Sequence, residues 1–148
     1  MALLPLTQKS NDALVAARER AVSDQHPELL PQHLFRELLE SAVGLRPVLE
    51  AAGVTPQAMQ GLVEAAEAEL AKLPKAVGGA EPQPGPAVRN LLESASEAGR
   101  KLGDRFLATD ALLLAFASTE TKKLLERFGA DRKKLEAAIK ELRAGAKV

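Results

Sequence analysis

Two histidines and no cysteine are all that this 148-residue chain holds for thiolate or imidazole chemistry. His26 and His33 are separated by Pro27 and Pro31, which is not the i,i+4 helical spacing that turns two imidazoles toward one metal. A zinc site needs about four ligands, at least three of them from protein, and the sequence supplies no such set around either histidine. A small helical hydrolase built on Asp104, Asp110 and His33 would need an activated nucleophile, and none is evident. The segment VGGAEPQPG, residues 77–85, has glycines but lacks the lysine and hydroxyl of a phosphate-binding loop. Catalytic residues, a metal and a bound cofactor are therefore not expected. His33 is followed by Leu34, Phe35 and Leu38, one apolar helix face. Its expected role is packing, with one ring nitrogen bonded to a backbone group near the helix start.

The elements that must position these residues are helices. Ala, Leu, Glu, Lys and Arg dominate, aromatics are only 3%, and hydrophobic residues are 46%, a composition that favours helix and a packed core. A chain of this length buries roughly 68–70% of its unfolded surface, enough for one domain. Twenty basic residues match twenty acidic ones, which argues against a nucleic-acid binder. The basic segment 122–147 reads as a solvated helix face, with Glu136 and Lys140 at favourable i,i+4 spacing. No apolar run reaches the roughly 18–20 residues of a membrane span, and the N-terminus lacks the basic start of a signal peptide. No membrane partner is expected, and the expected location is the cytoplasm.

Residues 73–88, LPKAVGGAEPQPGPAV, hold four of the nine prolines and three of the ten glycines and read as a linker. The sequence on either side repeats. At an offset of about 78, Leu14 meets Leu92, Leu29 meets Leu107 and Leu34 meets Leu112; at about 76, Leu49 meets Leu125, Gly53 meets Gly129 and Met59 meets Leu135. This is an internal duplication. Each half predicts four helices: 7–23, 31–42, 45–52 and 56–72, then 86–101, 109–118, 120–128 and 132–144. Thr7, Thr55 and Asp131 are N-cap residues, Pro56 follows its cap at N1, and Gly53 and Gly129 are left-handed stops. No alternating strand pattern appears. The expected fold is all-α: one domain over 1–148 made of two four-helix repeats, about 1–73 and 86–148, joined by the linker 74–85 and packed about a pseudo-twofold axis.

The ordered motifs LT (Leu6, Thr7), HPELLPQHL, VLEAAGVTPQAM, LPKAVGG, GDRFLATDALLLA and ELRAGAKV resemble the N-terminal domain of Clp-type AAA+ chaperones, most closely the ClpB-type disaggregases. The resemblance covers nearly the whole chain. It implies a non-catalytic substrate-recognition domain tethered above a hexameric ATPase ring, weakly binding unfolded or aggregated polypeptide or an adaptor protein. ATP and magnesium would be bound by ATPase modules outside this chain, and the isolated domain is expected to be a monomer. It also implies that Thr7, Asp104 and Asp110 fall where the family handles substrate, and that Leu91, Ser94, Ala98 and Ala111 line the polypeptide groove. Small residues at those groove positions imply a shallow surface. Each polar residue also has a structural use: Thr7 as a cap, Asp110 in a helix's first turn, Asp104 in a turn. Recognition of one adaptor protein is the alternative function.

Overall fold

The computed structural model describes residues 3–41, 44–75, 82–119 and 121–148. The first repeat contributes α1 (Gln8–Ser23), β1 (Glu28–Leu29), α2 (Pro31–Glu40), α3 (Arg46–Ala51) and α4 (Pro56–Ala71). The second contributes β2 (Gln83–Pro84), α5 (Pro86–Lys101), α6 (Thr109–Phe116), α7 (Lys122–Arg127) and α8 (Arg132–Arg143). The eight helices fall where the sequence places them, most with ends trimmed by one or two residues. The expected helix ends at Ala42 and Glu120, and residues 76–81 of the expected linker, lie outside the described residues.

The caps act as their residue types dictate. The hydroxyls of Thr7 and Thr55 accept from the N–H groups of Ser10 and Ala58, and the Asp131 carboxylate accepts from Lys134. Each satisfies a donor that a helix start would otherwise leave orphaned. Gly53 and Gly129 stop α3 and α7 at φ 98° and 90°, where a Cβ would be strained. On the helix surface, Glu136 pairs with Arg132 at 2.8 Å rather than with Lys140.

The duplication is written into the hydrogen bonding. Thr7 N–H donates to Leu107 O and Gly85 N–H donates to Leu29 O, the same bond at both ends of a pseudo-twofold. Leu6 bridges Leu107, while Leu29 pairs with Pro84 in the two-residue parallel sheet. The chain entering each repeat is thus pinned to the α1–α2 or α5–α6 loop of the other. Such pairs are too short to leave a period-2 pattern, which is why the sequence predicts no strand.

One apolar core runs through both repeats. Helices α2 and α6 meet at its centre, where Phe35 and Phe116 stack edge-on with centroids 5.0 Å apart. Helix α3 packs on α8, and α4 on α7, so each repeat covers the other. Gly61 on α4 is small for this reason: a Cβ there would sit 2.6 Å from the Phe128 ring. Phe116→Ala should cost about 3–5 kcal/mol in urea unfolding. The two halves expressed separately, divided near Gly79, should show little helical circular dichroism until mixed. Two halves that each unfold cooperatively alone would contradict a shared core.

Candidate functional site

The α5–α6 loop, residues 102–108, gathers most of the polar candidates. It begins at Gly103, left-handed at φ 84°, and the N–H of Asp104 returns to Gly99 O. The Asp104 side chain has no exposed surface, and the Arg143 guanidinium from the end of α8 is only 10% exposed. Arg143 Nη1 and Nη2 donate to the two oxygens of Asp104 at 2.6 and 2.9 Å. Its Nε and Nη2 donate to the two oxygens of Asp110 at 2.7 and 2.6 Å. Two bidentate forks on one guanidinium are the strong form of the ion pair. Burial pushes the Asp104 carboxyl up, but the hydrogen bonds from Arg143 and from the Val148 N–H outweigh it and hold the group below the usual range. Arg143 is raised, through its bonds to Asp110 and then Asp104.

Sequence reasoning missed Arg143, which lies among exposed charges of an amphipathic helix. The repeat offset holds the signal, since position 143 matches Glu67, and positions 104 and 110 match His26 and Gln32. One repeat carries an acid–base cluster where the other carries a different one.

The structure divides the remaining candidates. Thr7 is half-buried, spent on its cap and on the backbone bond to Leu107. Leu91 and Ala111 are 0% exposed and present no surface in this conformation. A Cβ added to Gly99 would lie 3.1 Å from Leu4 Cδ1 and 3.8 Å from Ala111 Cβ, so Leu4 packs into that corner beside Ala111. The Leu4 N–H is in turn held by Ser96 Oγ at 3.0 Å. Ser94 is half-buried. Of the four groove positions, Ala98 lines a surface cleft of about 220 Å³ between α5, α6 and α8. Its apolar wall is Ala98, Leu102, Leu114 and Ile139, and its rim carries Lys101 and Lys140.

The matching region of the first repeat is lined by charge, with Arg20, Asp24 and Glu67 around a hollow of about 200 Å³. Arg36, on α2 at the position of Leu114, is buried and pairs with Glu67, with Glu40 at 2.7 Å, and with Glu37. Arg20, at the position of Ala98, bonds Asp24 at 3.1 Å and reaches Glu67. The first repeat carries a hollow elsewhere, of about 430 Å³ between α3 and α4, walled by Val54, Pro56, Met59 and Val63.

His33 packs as its neighbours dictate. Its ring is 1% exposed, and Nδ1 accepts from the Leu30 N–H at 3.0 Å, capping α2 from its third residue. That bond leaves the ring proton on Nε2, which faces Nδ1 of His26 at 2.8 Å. The loop between the prolines folds back and brings the two histidines together, which their spacing did not suggest. Among the described residues, no group of three or more potential ligands could hold a metal.

The class defined by this architecture is an all-helical, duplicated domain. The chain belongs to the Clp repeat N-terminal domain family, whose model matches residues 5–128. It is 33% identical over 147 residues to the chaperone protein ClpB of Corynebacterium diphtheriae, covering 96% of this chain and 17% of that protein. It is 41% identical over 119 residues to ClpB of Streptomyces albus G, covering 77% and 14%. The chain thus spans about a sixth of the length of these curated relatives. Among solved structures, the Hsp104 N-terminal domain of Candida albicans superposes with a TM-score of 0.83 at 19% identity, over 97% of this chain and 94% of that one. The N-domain of ClpV from Vibrio cholerae gives 0.78 at 23%, over 95% and 86%. A ClpV N-domain in complex with a VipB peptide gives 0.72 at 22%, over 95% and 88%.

Two stability predictions follow from the buried charges. Asp104→Asn leaves Arg143 with one carboxylate and should cost about 1–3 kcal/mol in urea unfolding, whereas Lys140→Ala on the open rim should change stability by less than about 0.5 kcal/mol. His33 is held neutral, its pKa lowered by burial and then by His26 to about 4 from 6.5. The unfolded chain binds the extra proton first, so stability is full above pH 6.5 and falls between pH 6.5 and about 4, by about 3 kcal/mol for this group. His33→Ala should flatten that slope in unfolding curves measured across the window.

Proposed function

We propose that this chain is a non-catalytic recognition domain that captures unfolded or aggregated polypeptide weakly through the cleft between α5, α6 and α8. The observation that carries this reading is the lining of that cleft: Ala98, Leu102, Leu114 and Ile139 form an apolar trough, the first three at positions where the first repeat carries the charged Arg20, Asp24 and Arg36. A trough of aliphatic side chains accepts many sequences, because burial of apolar area is not directional. The small Ala98 keeps it shallow, so affinity should fall at about 10⁻⁵–10⁻³ M. Several tethered copies offset weak single-site binding by raising the local concentration of sites.

Kinship with ClpB chaperones supports a role as accessory to an AAA+ ring, with ATP and magnesium on ATPase modules that this chain does not contain. Among the described residues, no helix is long and apolar enough to cross a membrane. The expected site is cytoplasmic, and the isolated domain is expected to be monomeric. Docking of a folded adaptor or of one partner's peptide is the second reading. It is favoured by the solved ClpV N-domain complex, which holds a peptide from VipB.

The test is an NMR titration of the labelled domain with a reduced, carboxymethylated lactalbumin. Shifts should centre on Ala98, Leu102 and Ile139. Ala98→Glu sets a carboxylate in the apolar wall, within the same cleft as Lys101 and Lys140, and should weaken binding at least about five-fold, near 1 kcal/mol. Shifts confined to α3 and α4 would overturn the placement. Absence of shifts at millimolar probe would favour the adaptor reading.

A further inference from the structure

The cleft between α5, α6 and α8 is ringed by more positive than negative charge. Lys101, Arg132 and Lys140 line it against a single carboxylate, Glu136. Arg132 is already engaged. Its Nε donates to Glu136 Oε1 at 2.8 Å, and its Nη1 donates to Ser118 Oγ and, at 3.5 Å, to Leu114 O. These bonds hold Arg132 at the cleft and pair its charge with that of Glu136. The two lysines are left. Lys101 meets Glu97 only at 3.9 Å, with the two side chains 74% and 58% exposed, a pair that contributes little. Lys140 is exposed. Its i−4 neighbour Glu136 is taken by Arg132, and among the described residues Lys140 pairs with no carboxylate.

The apolar floor beneath them is narrow. Ala98, Leu114 and Ile139 keep 6%, 3% and 1% of their surface, and the cleft holds about 220 Å³. An apolar cavity of roughly 150 Å³ takes a benzene-sized group, so this one has room for an aliphatic side chain rather than for the face of a helix. Such an anchor alone discriminates little, because apolar burial is not directional. The lysine stems extend the apolar wall while their ammonium groups stay in water at the rim. An extended chain with one aliphatic side chain on the floor carries its neighbouring residues past that rim. Carboxylates there meet two uncommitted cations, and ammonium groups are repelled. The duplication shows that the rim is no requirement of the fold. At the matching positions the first repeat has Ser23 for Lys101, Gln60 for Glu136 and Glu64 for Lys140.

We infer that the cleft selects its clients by charge: the segment it fits is extended polypeptide in which an aliphatic residue is flanked by aspartate or glutamate, and Lys101 and Lys140 are the groups that determine this specificity. The inference rests on the polypeptide-capture reading and deepens it, from capture of any apolar segment to preference for acidic-flanked ones. Attraction between exposed charges is screened beyond about 10 Å at 0.1 M salt, so the selection is strongest at low ionic strength. It acts on the rate of encounter as well as on the choice of segment.

The experiment is an NMR titration of the labelled domain with three end-blocked peptides that share a Leu-Val-Leu centre and are flanked on both sides by Asp, by Ser or by Lys. The Asp-flanked peptide should bind at least about three-fold more tightly than the Ser-flanked one, near 0.65 kcal/mol, and the Lys-flanked peptide more weakly than either. Salt at about 1 M, where the screening length falls to about 3 Å, should bring the three affinities together. Lys101→Gln combined with Lys140→Gln should bring them together at low salt. Lys133→Gln combined with Lys134→Gln removes the same charge from α8 outside the cleft lining and should keep the preference. Equal binding of the three peptides at low salt, selection that persists without Lys101 and Lys140, or selection lost equally in the Lys133 and Lys134 variant would each overturn the rim, and the cleft reading stands wherever Ala98 and Ile139 still shift. A fourth peptide, Ser-flanked with a free carboxylate directly after the centre, tests the chain end as the source of charge. If it outbinds the Asp-flanked peptide, the site reads chain ends and the inference is overturned. Shifts at neither Ala98 nor Ile139 with any peptide would overturn the rim and the cleft together.

Discussion

The edge-on contact of Phe35 with Phe116, where α2 crosses α6, stands at the point on which everything else rests. The two four-helix repeats share one apolar core. Leu38, Leu39 and Leu49 of one and Leu112, Leu113 and Leu125 of the other are at most 1% exposed within it. The crossed backbone pairs, Leu6 with Leu107 and Leu29 with Pro84, follow from the same symmetry. They pin the entry of each repeat to the loop of the other and so fix the α5–α6 loop.

With the frame set by symmetry, the two repeats are free to differ in chemistry at matched positions. One places His26, Gln32 and Glu67 where the other places Asp104, Asp110 and Arg143. In the first, Arg20 and Arg36 turn toward Glu67 and leave that surface charged. In the second, Arg143 is drawn to Asp104 and Asp110, and Leu114 stands where Arg36 would. The cleft lined by Ala98, Leu114 and Ile139 is the surface that this change of charge partners leaves uncovered. A buried guanidinium held by two carboxylates is costly to break once formed, which keeps the loop and the exit from α8 in one arrangement.

The helices were legible because their signals are local. Thr7, Thr55 and Asp131 cap within three residues of their own positions, and Gly53 and Gly129 end helices through their own φ angles. The duplication was legible because it is a property of order along the chain. The two short parallel pairs were not, since two residues carry no periodicity and their partners are distant in sequence. The candidate site was legible in part. Asp104 and Asp110 could be singled out, but their shared partner Arg143 comes from another helix, and nothing local marks it among the other charges of α8.

The sequence alone thus determined the all-helical class, the repeat, the caps and the packing role of His33, because each depends on neighbours within a helical turn or on a repeated order. Membership of the Clp repeat N-terminal domain family was readable in the same way, from motifs in sequence order. Only the tertiary structure decided which small residues face a cleft. Ala98 lines one while Ala111 is sealed in the core, although both are alanines on amphipathic helices. Only the fold brought His26 within 2.8 Å of His33 and laid Val148 against Asp104. The reason is common to all three. Burial and long-range pairing are set by how whole helices pack across the pseudo-twofold, and that packing is a sum over distant residues which no short stretch of sequence contains.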